Sequence, residues 1–303
     1  MTLACELTNH GAGKILALFV LHLEGERARA ALEQASKIAT RIIVIHDGPI
    51  DEPTRSLCNE YLAEIIEGDS AGCKEPHLAR FFASYDGKSS WILHLDSDEV
   101  MSESLVEEIK DLTFGQSCVY WGQLLHQRKN GTIIRYARRS FARGLKPVLF
   151  HLNSIERIIG VPHRGFIYCG EARFLKFPVM HLAEHLNYSL RQLLKKEMRF
   201  CAVEAKHRIR PVLVFENNLL SRWPPDSRKF RLSDRLRYQF PLMLLPFCLL
   251  FRIYQSALWF CDIRSLAAVK EEISLFLTRL PYQTKLLLLI SRYKADRGEQ
   301  AEL

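Results

Sequence analysis

Three carboxylates stand almost together in Asp96-Ser97-Asp98-Glu99, directly behind the apolar run Trp91–Leu95. Such a run reads as a buried strand that delivers the acids into the loop at its carboxyl end, the edge where open α/β sheets bind ligands. Two carboxylates held at about 4 Å repel by roughly 4 kcal/mol at an effective dielectric of 20. A divalent cation removes that cost. Hard oxygen ligands suit Mg²⁺ or Mn²⁺, which keep coordination positions open for a diphosphate. The competing reading is an acidic helix start complementing the macrodipole of 102–112; the position behind a buried strand favours the ligand site.

A second acid repeats the arrangement. Arg41–His46 (RIIVIH) is a β-branched apolar run ending on Asp47, followed by Gly48-Pro49. An acid at a strand end can accept hydrogen bonds from a ribose or nucleobase. The same three residues are also an ordinary turn signature.

The elements that position these acids alternate along 14–112. Ile15–Leu21 reads as a strand and Arg27–Ile38 as a helix. Glu60–Ile66 and Leu78–Tyr85 read as helices between the RIIVIH and WILHL strands, and 102–112 as a further helix with Ser102 as N-cap. This βαβα rhythm predicts an α/β fold with a mostly parallel sheet covered by helices. Beyond it, Cys118–Arg128 and Thr132–Ala137 flank the hairpin signal Asn130-Gly131. Segments near 148–152, 165–169 and 177–181 read as short strands, giving a mixed sheet. Tyr188–Arg208 reads as a long basic helix stopped by Pro211. The expected organisation is a tail over 1–13, a nucleotide-binding α/β half over 14–112, a mixed-sheet acceptor half over 113–187 and a helical, basic and apolar extension over 188–303.

Composition narrows the function classes. The 303 residues are 48% hydrophobic and 25% charged, which excludes a disordered or low-complexity chain. The net charge of +8 favours phosphate-rich partners. Eight cysteines without a CxxC pair exclude a zinc framework and read as reduced thiols. The opening residues carry no apolar core of a secretory signal, so a cytoplasmic location is expected. Phe240–Phe251 is uninterruptedly apolar but, at about 18 Å as a helix, too short for roughly 30 Å of hydrocarbon. Basic residues crowd 205–238 just upstream, so 205–262 is expected to sit on the inner face of an anionic membrane as a peripheral surface. No nucleic-acid reader motif accompanies the basic stretch, and nucleic acid is not an expected partner.

In order and motif the chain resembles the family 2 glycosyltransferases of the GT-A fold, particularly bacterial enzymes that build lipopolysaccharide core and related surface glycans. The resemblance rests on the Asp47 loop, on Glu75-Pro76-His77-Leu78-Ala79-Arg80-Phe81, on Leu95-Asp96-Ser97-Asp98-Glu99, and on Val179-Met180-His181 before the basic helix. It implies a metal-dependent transfer of a hexose or heptose, with inversion, from a nucleotide-sugar donor to a glycan or glycolipid acceptor. Asp47, Asp96 and Arg80 would contact the donor, and Asp96, Asp98 and His181 would hold the metal. The glutamate of the family's His-Glu pair is missing at Val161-Pro162-His163-Arg164, which leaves His163, Glu99 or Glu171 as the base. The opening strand also departs from the family pattern. Three other readings stand beside this one: a haloacid-dehalogenase-like phosphatase using Asp96 as nucleophile, a nucleotidyltransferase on a similar sheet, and a non-catalytic scaffold.

Overall fold

The computed structural model describes residues 15–22, 25–85, 87, 91–112, 118–127, 131, 133–134, 144–162, 164–182, 188–261 and 266–301. Its first half is built on strands β1 (Ile15–Leu21), β2 (Arg41–Asp47), β3 (Glu64–Gly68) and β4 (Trp91–His94), all parallel, in the spatial order β3-β2-β1-β4. Alternate residues of β1 feed opposite cores. Ala17 and Phe19 pack with Val44 and Leu93 on one face, and Leu16 and Leu18 pack with Ile43, Ile45 and Ile92 on the other. Burial on both faces explains why these strands read as continuous apolar runs.

Helices α1 (Arg29–Ser36), α2 (Glu52–Glu60), α3 (Glu75–Ser84) and α4 (Glu103–Lys110) connect and cover the sheet. Ser102 caps α4 by accepting from the Leu105 amide, as its sequence position predicts. The helix expected over 60–66 is corrected. Asp51 accepts from the Thr54 amide and Pro53 occupies the first turn, so the helix starts eight residues earlier, as α2. Residues 64–68 are instead the strand β3. As a partly exposed edge strand, it has no apolar pattern strong enough to announce itself.

The sheet continues with antiparallel and mixed pairings through β5 (Glu99–Met101), β6 (Cys118–Gln127), β7 (Ile133–Ile134), β8 (Leu145–His151), β11 (Glu171–Phe174) and β12 (Val179–His181). β7 pairs antiparallel with β6, the pairing that the Asn130-Gly131 signal predicts. The result is a mixed sheet flanked by helices, the expected fold class.

A second sheet corrects the expected organisation. β9 (Ile155–Ile159) and β10 (Gly165–Tyr168) pair with a hairpin from the tail, β13 (Val212–Glu216) and β14 (Leu219–Trp223), in the order β10-β9-β13-β14. Its turn, Asn217-Asn218, has φ of +51° and +60°, the left-handed conformation that two-residue hairpins need and asparagine tolerates. The chain beyond 187 is therefore not an all-helical appendage. It supplies half of this sheet, and β13 pairs with β9.

The remaining helices are α5 (Leu190–Ile209), α6 (Leu232–Gln239), α7 (Leu245–Cys261) and α8 (Leu266–Ala301). α5 and α8 pack through Cys201, Ala205, Ile209, Tyr282, Leu286 and Ile290. Among the described residues, no helix is long and apolar enough to cross a membrane.

Candidate active site at the carboxyl ends of the parallel strands

The strand order places a topological switch beside β1. The chain runs from β1 outward through β2 to β3, then returns to the opposite side of β1 as β4. Such a switch opens a crevice outside the carboxyl ends of the strands. Loops after β1, β3 and β4 converge there with the start of β8.

The loop after β4 holds the acids. Its turn is closed by the Glu99 amide donating to the Asp96 carbonyl at 3.0 Å, and the Asp96 amide donates to Glu99 Oε2 at 2.7 Å. Glu99 is 3% exposed. Its Oε2 also receives the Lys146 ammonium, so this carboxylate organises the loop from beneath. Burial raises its pKa above the ordinary value, against the lowering effect of Lys146.

Asp96 is more open, with its side chain 38% exposed. Lys74, from the loop before α3, donates to its Oδ1, and Lys146 Nζ stands 3.5 Å from its Oδ2. Burial opposes the charge on Asp96, but the two ammonium groups outweigh it and hold the carboxyl well below its usual range. Burial likewise opposes the charge on Lys74, and Asp96 and Glu99 more than compensate, raising its pKa. Beneath them lies His94, 4% exposed, with its Nε2 buried and without a hydrogen-bond partner. Burial and the two lysines push its pKa well below the ordinary value, so its imidazole is neutral.

Asp98 faces a different set. Its Oδ2 lies 3.2 Å from an Arg27 guanidinium nitrogen and 3.3 Å from His181 Nε2. Burial opposes its ionisation, but the hydrogen bond and charge of His181 hold its pKa below the usual value. The pairing of β12 with β5 brings His181 opposite Glu99, and the parallel pairing with β6 sets it beside His126. The two imidazole Nδ1 atoms are 2.8 Å apart, one donating and the other accepting. Asp98 and His181, predicted to act together, are thus in direct contact.

Asp47 ends β2 but is 5% exposed, and both its oxygens are engaged. Oδ1 accepts from the Ala71 amide at 2.6 Å and lies 2.9 Å from His77 Nε2; Oδ2 accepts from the Gly72 amide at 2.8 Å. Burial opposes its charge, and His77 with these amides overcomes the opposition and lowers its pKa. His77 reaches this position because Gly68 has no side chain: a Cβ there would stand 2.5 Å from the imidazole. Asp47 therefore fixes the 69–74 loop that carries Lys74, instead of presenting an open carboxylate to a nucleoside. Arg80, on α3, pairs at 3.1 Å with the exposed Asp69 of the same loop. Glu171 is exposed on β11 and pairs with Arg173 at 2.8 Å. His163 lies outside the described residues.

Lys74, Lys146, Arg27 and His126 were not signalled by the sequence. None belongs to a motif, and each arrives from a segment distant from the acids. Only the alternation of strands and loops could have placed Arg27 and Lys74, because each follows a parallel strand.

The donor set does not fit the expected Mg²⁺ or Mn²⁺ as arranged. Asp96 has a lysine on each oxygen, and Asp98 has an arginine and a histidine on Oδ2. Among the described residues no group of three or more histidine, cysteine, aspartate and glutamate side chains could hold a metal ion.

No protein-family model matches the chain, and no curated protein matches it. Solved structures do resemble it in chain path. Glucosyl-3-phosphoglycerate synthase from M. tuberculosis has a TM-score of 0.41 at 12% identity, over 70% of this chain and 88% of its own. The inositol-1-phosphate CTP transferase from T. maritima has a TM-score of 0.37 at 9% identity, over 60% and 94%. The glycosyltransferase GlyE of Streptococcus pneumoniae TIGR4 has a TM-score of 0.28 at 16% identity, over 47% and 35%. The chemistry of the site rests on this chain's own residues.

Proposed function

We propose that the protein is a glycosyltransferase of the GT-A type that moves a sugar from a nucleoside-diphosphate donor to a membrane-borne glycan or glycolipid acceptor, with inversion. The observation that carries this reading is the Asp96–Asp98 loop at the switch point beside β1, ringed by Arg27, Lys74 and Lys146. Acids alone would repel a diphosphate; acids already paired with ammonium and guanidinium groups leave N–H donors for its oxygens. The donor's diphosphate lies over Lys74 and Arg27, whose side chains are each 34% exposed. Asp98 acts as a positioning residue that orients Arg27 and His181. Glu99 is committed beneath the loop, so removal of the acceptor's proton falls to His163.

A membrane surface for the acceptor is supported by the tail. Phe247, Leu250, Phe251 and Tyr254 recur at helical spacing on α7 and are 67%, 63%, 51% and 60% exposed. Arg222, Arg228, Lys229 and Arg231 stand exposed in the preceding segment. Apolar insertion beside basic residues suits an anionic bilayer.

The test is release of nucleoside diphosphate from a panel of nucleotide-sugars, dependent on a lipid-extract acceptor, for wild type and Asp98→Asn. Transfer lost in the variant with its melting temperature retained supports the reading. Pyrophosphate release from a nucleoside triphosphate would replace it with nucleotidyl transfer, which the same ring of cations also suits.

A further inference from the structure

We infer that Lys74 and Lys146 take the place of a divalent cation at this site, so that the donor's diphosphate binds without metal. The inference rests on the donor reading above and concerns how that donor is held. Asp96, Asp98 and Glu99 bring three negative charges to the strand ends, and Lys74, Lys146 and Arg27 bring three positive ones within ion-pair distance. A divalent ion between two carboxylates reaches the same electrical neutrality. Neutrality by fixed side chains leaves no uncompensated carboxylate to attract an ion, and a metal would first have to displace two ammonium groups from Asp96.

The two lysines are not equivalent. Lys146 is inside, 13% exposed, and bridges Glu99 to Asp96, so it sets the loop. Lys74 is outside, and it shares the opening with Asp96. An ammonium has three protons, and one hydrogen bond to Asp96 Oδ1 leaves others for phosphate oxygens. The backbone supports the assignment of Lys74. Its loop is tied to the end of β2 by the hydrogen bonds that the Ala71 and Gly72 amides donate to Asp47, so the ammonium is presented from a fixed base.

The test is calorimetric titration of UDP, GDP, CDP and ADP into the full chain in EDTA, then in Mg²⁺ and in Mn²⁺. One nucleotide should bind in EDTA, with its Kd changed by less than about threefold by either ion. Lys74→Gln should weaken that binding by at least about tenfold, as loss of a charge-assisted hydrogen bond does. Lys74→Arg should recover part of the loss. Should Lys74→Gln fail to fold, the wild-type Kd in EDTA set against that in Mg²⁺ and in Mn²⁺ remains an independent check. Binding that appears only after Mg²⁺ or Mn²⁺ is added overturns the inference and leaves the donor site standing. Absence of binding under every condition removes the donor site and the inference with it.

Discussion

Two ion clusters in this chain use the same side-chain types and differ in what they leave free. At the strand ends, Asp96 and Lys74 are 38% and 34% exposed, and their pairing faces the crevice. In the tail, Glu204 and Arg208 are 6% and 11% exposed and pair at 2.6 Å. Arg208 continues to Asp234 at 3.3 Å, Asp234 also takes Arg164, and Tyr282 donates to Glu204. Every member of the tail cluster joins two elements: α5 to α8 through Tyr282, and α5 to α6 through Asp234. The tail cluster is closed and holds helices together. The strand-end cluster is half open and keeps donors in reserve. Paired charge by itself is therefore no sign of function; the exposure of the pair separates fastening from binding.

Four variants sharpen that contrast. His163→Asn should lower kcat by about 10²–10⁴-fold with little change in donor Kd, as loss of a general base does; steady-state kinetics beside calorimetry would check it, and unchanged kcat would leave the base elsewhere. Glu204→Leu leaves the inner Arg208 with Asp234 alone and should cost about 3–5 kcal/mol by urea unfolding. Asp96→Asn, at the open cluster, should cost less stability than that. Equal losses would erase the distinction between the two regions. Phe247→Glu with Leu250→Glu should weaken sedimentation with phosphatidylglycerol vesicles by at least about tenfold and leave the melting temperature within a few degrees, since both side chains are exposed and stand outside the core.

The smallest effect is in pH. Asp47 has a folded-state pKa below its unfolded value of 3.8, so its contribution to stability is fully present above that value. It is lost as pH falls through the depressed folded value. Urea midpoints between pH 5 and pH 2.5 should decline, and Asp47→Asn should flatten part of that slope. An unchanged slope would mean that the hydrogen bonds donated by the Ala71 and Gly72 amides do not distinguish the charged form.

The basic stretch teaches the same lesson as the clusters. From the sequence, 205–238 is a single cationic segment beside an apolar one. In the fold, Arg208 is 11% exposed and paired with Glu204 and Asp234, so only part of the charge remains for a surface. Residues 212–216 and 219–223 fall in the extension that the sequence predicts to be helical. They form a hairpin because Asn217-Asn218 can turn left-handed and because β9 offers an edge to β13. The first condition was written in the sequence; the second was not.

Sequence alone determined the parallel strands β1, β2 and β4, the helices α1, α3 and α5, the Ser102 cap and the delivery of Asp96 and Asp98 to a strand end. Each of these follows from a local pattern: a run buried on both faces, a 3.6-residue period, or a capping residue. Tertiary structure decided which charges meet the acids. Lys74, Lys146 and Arg27 lie 22, 47–50 and 71 positions from the acids they face, and no local pattern encodes such a meeting. It also turned Asp47 inward, because His77 and two loop amides reach its carboxylate once Gly68 lets the imidazole approach. Local patterning sets where an acid emerges from the sheet. Only the packing of distant loops sets whether it meets a metal, a lysine or a backbone amide.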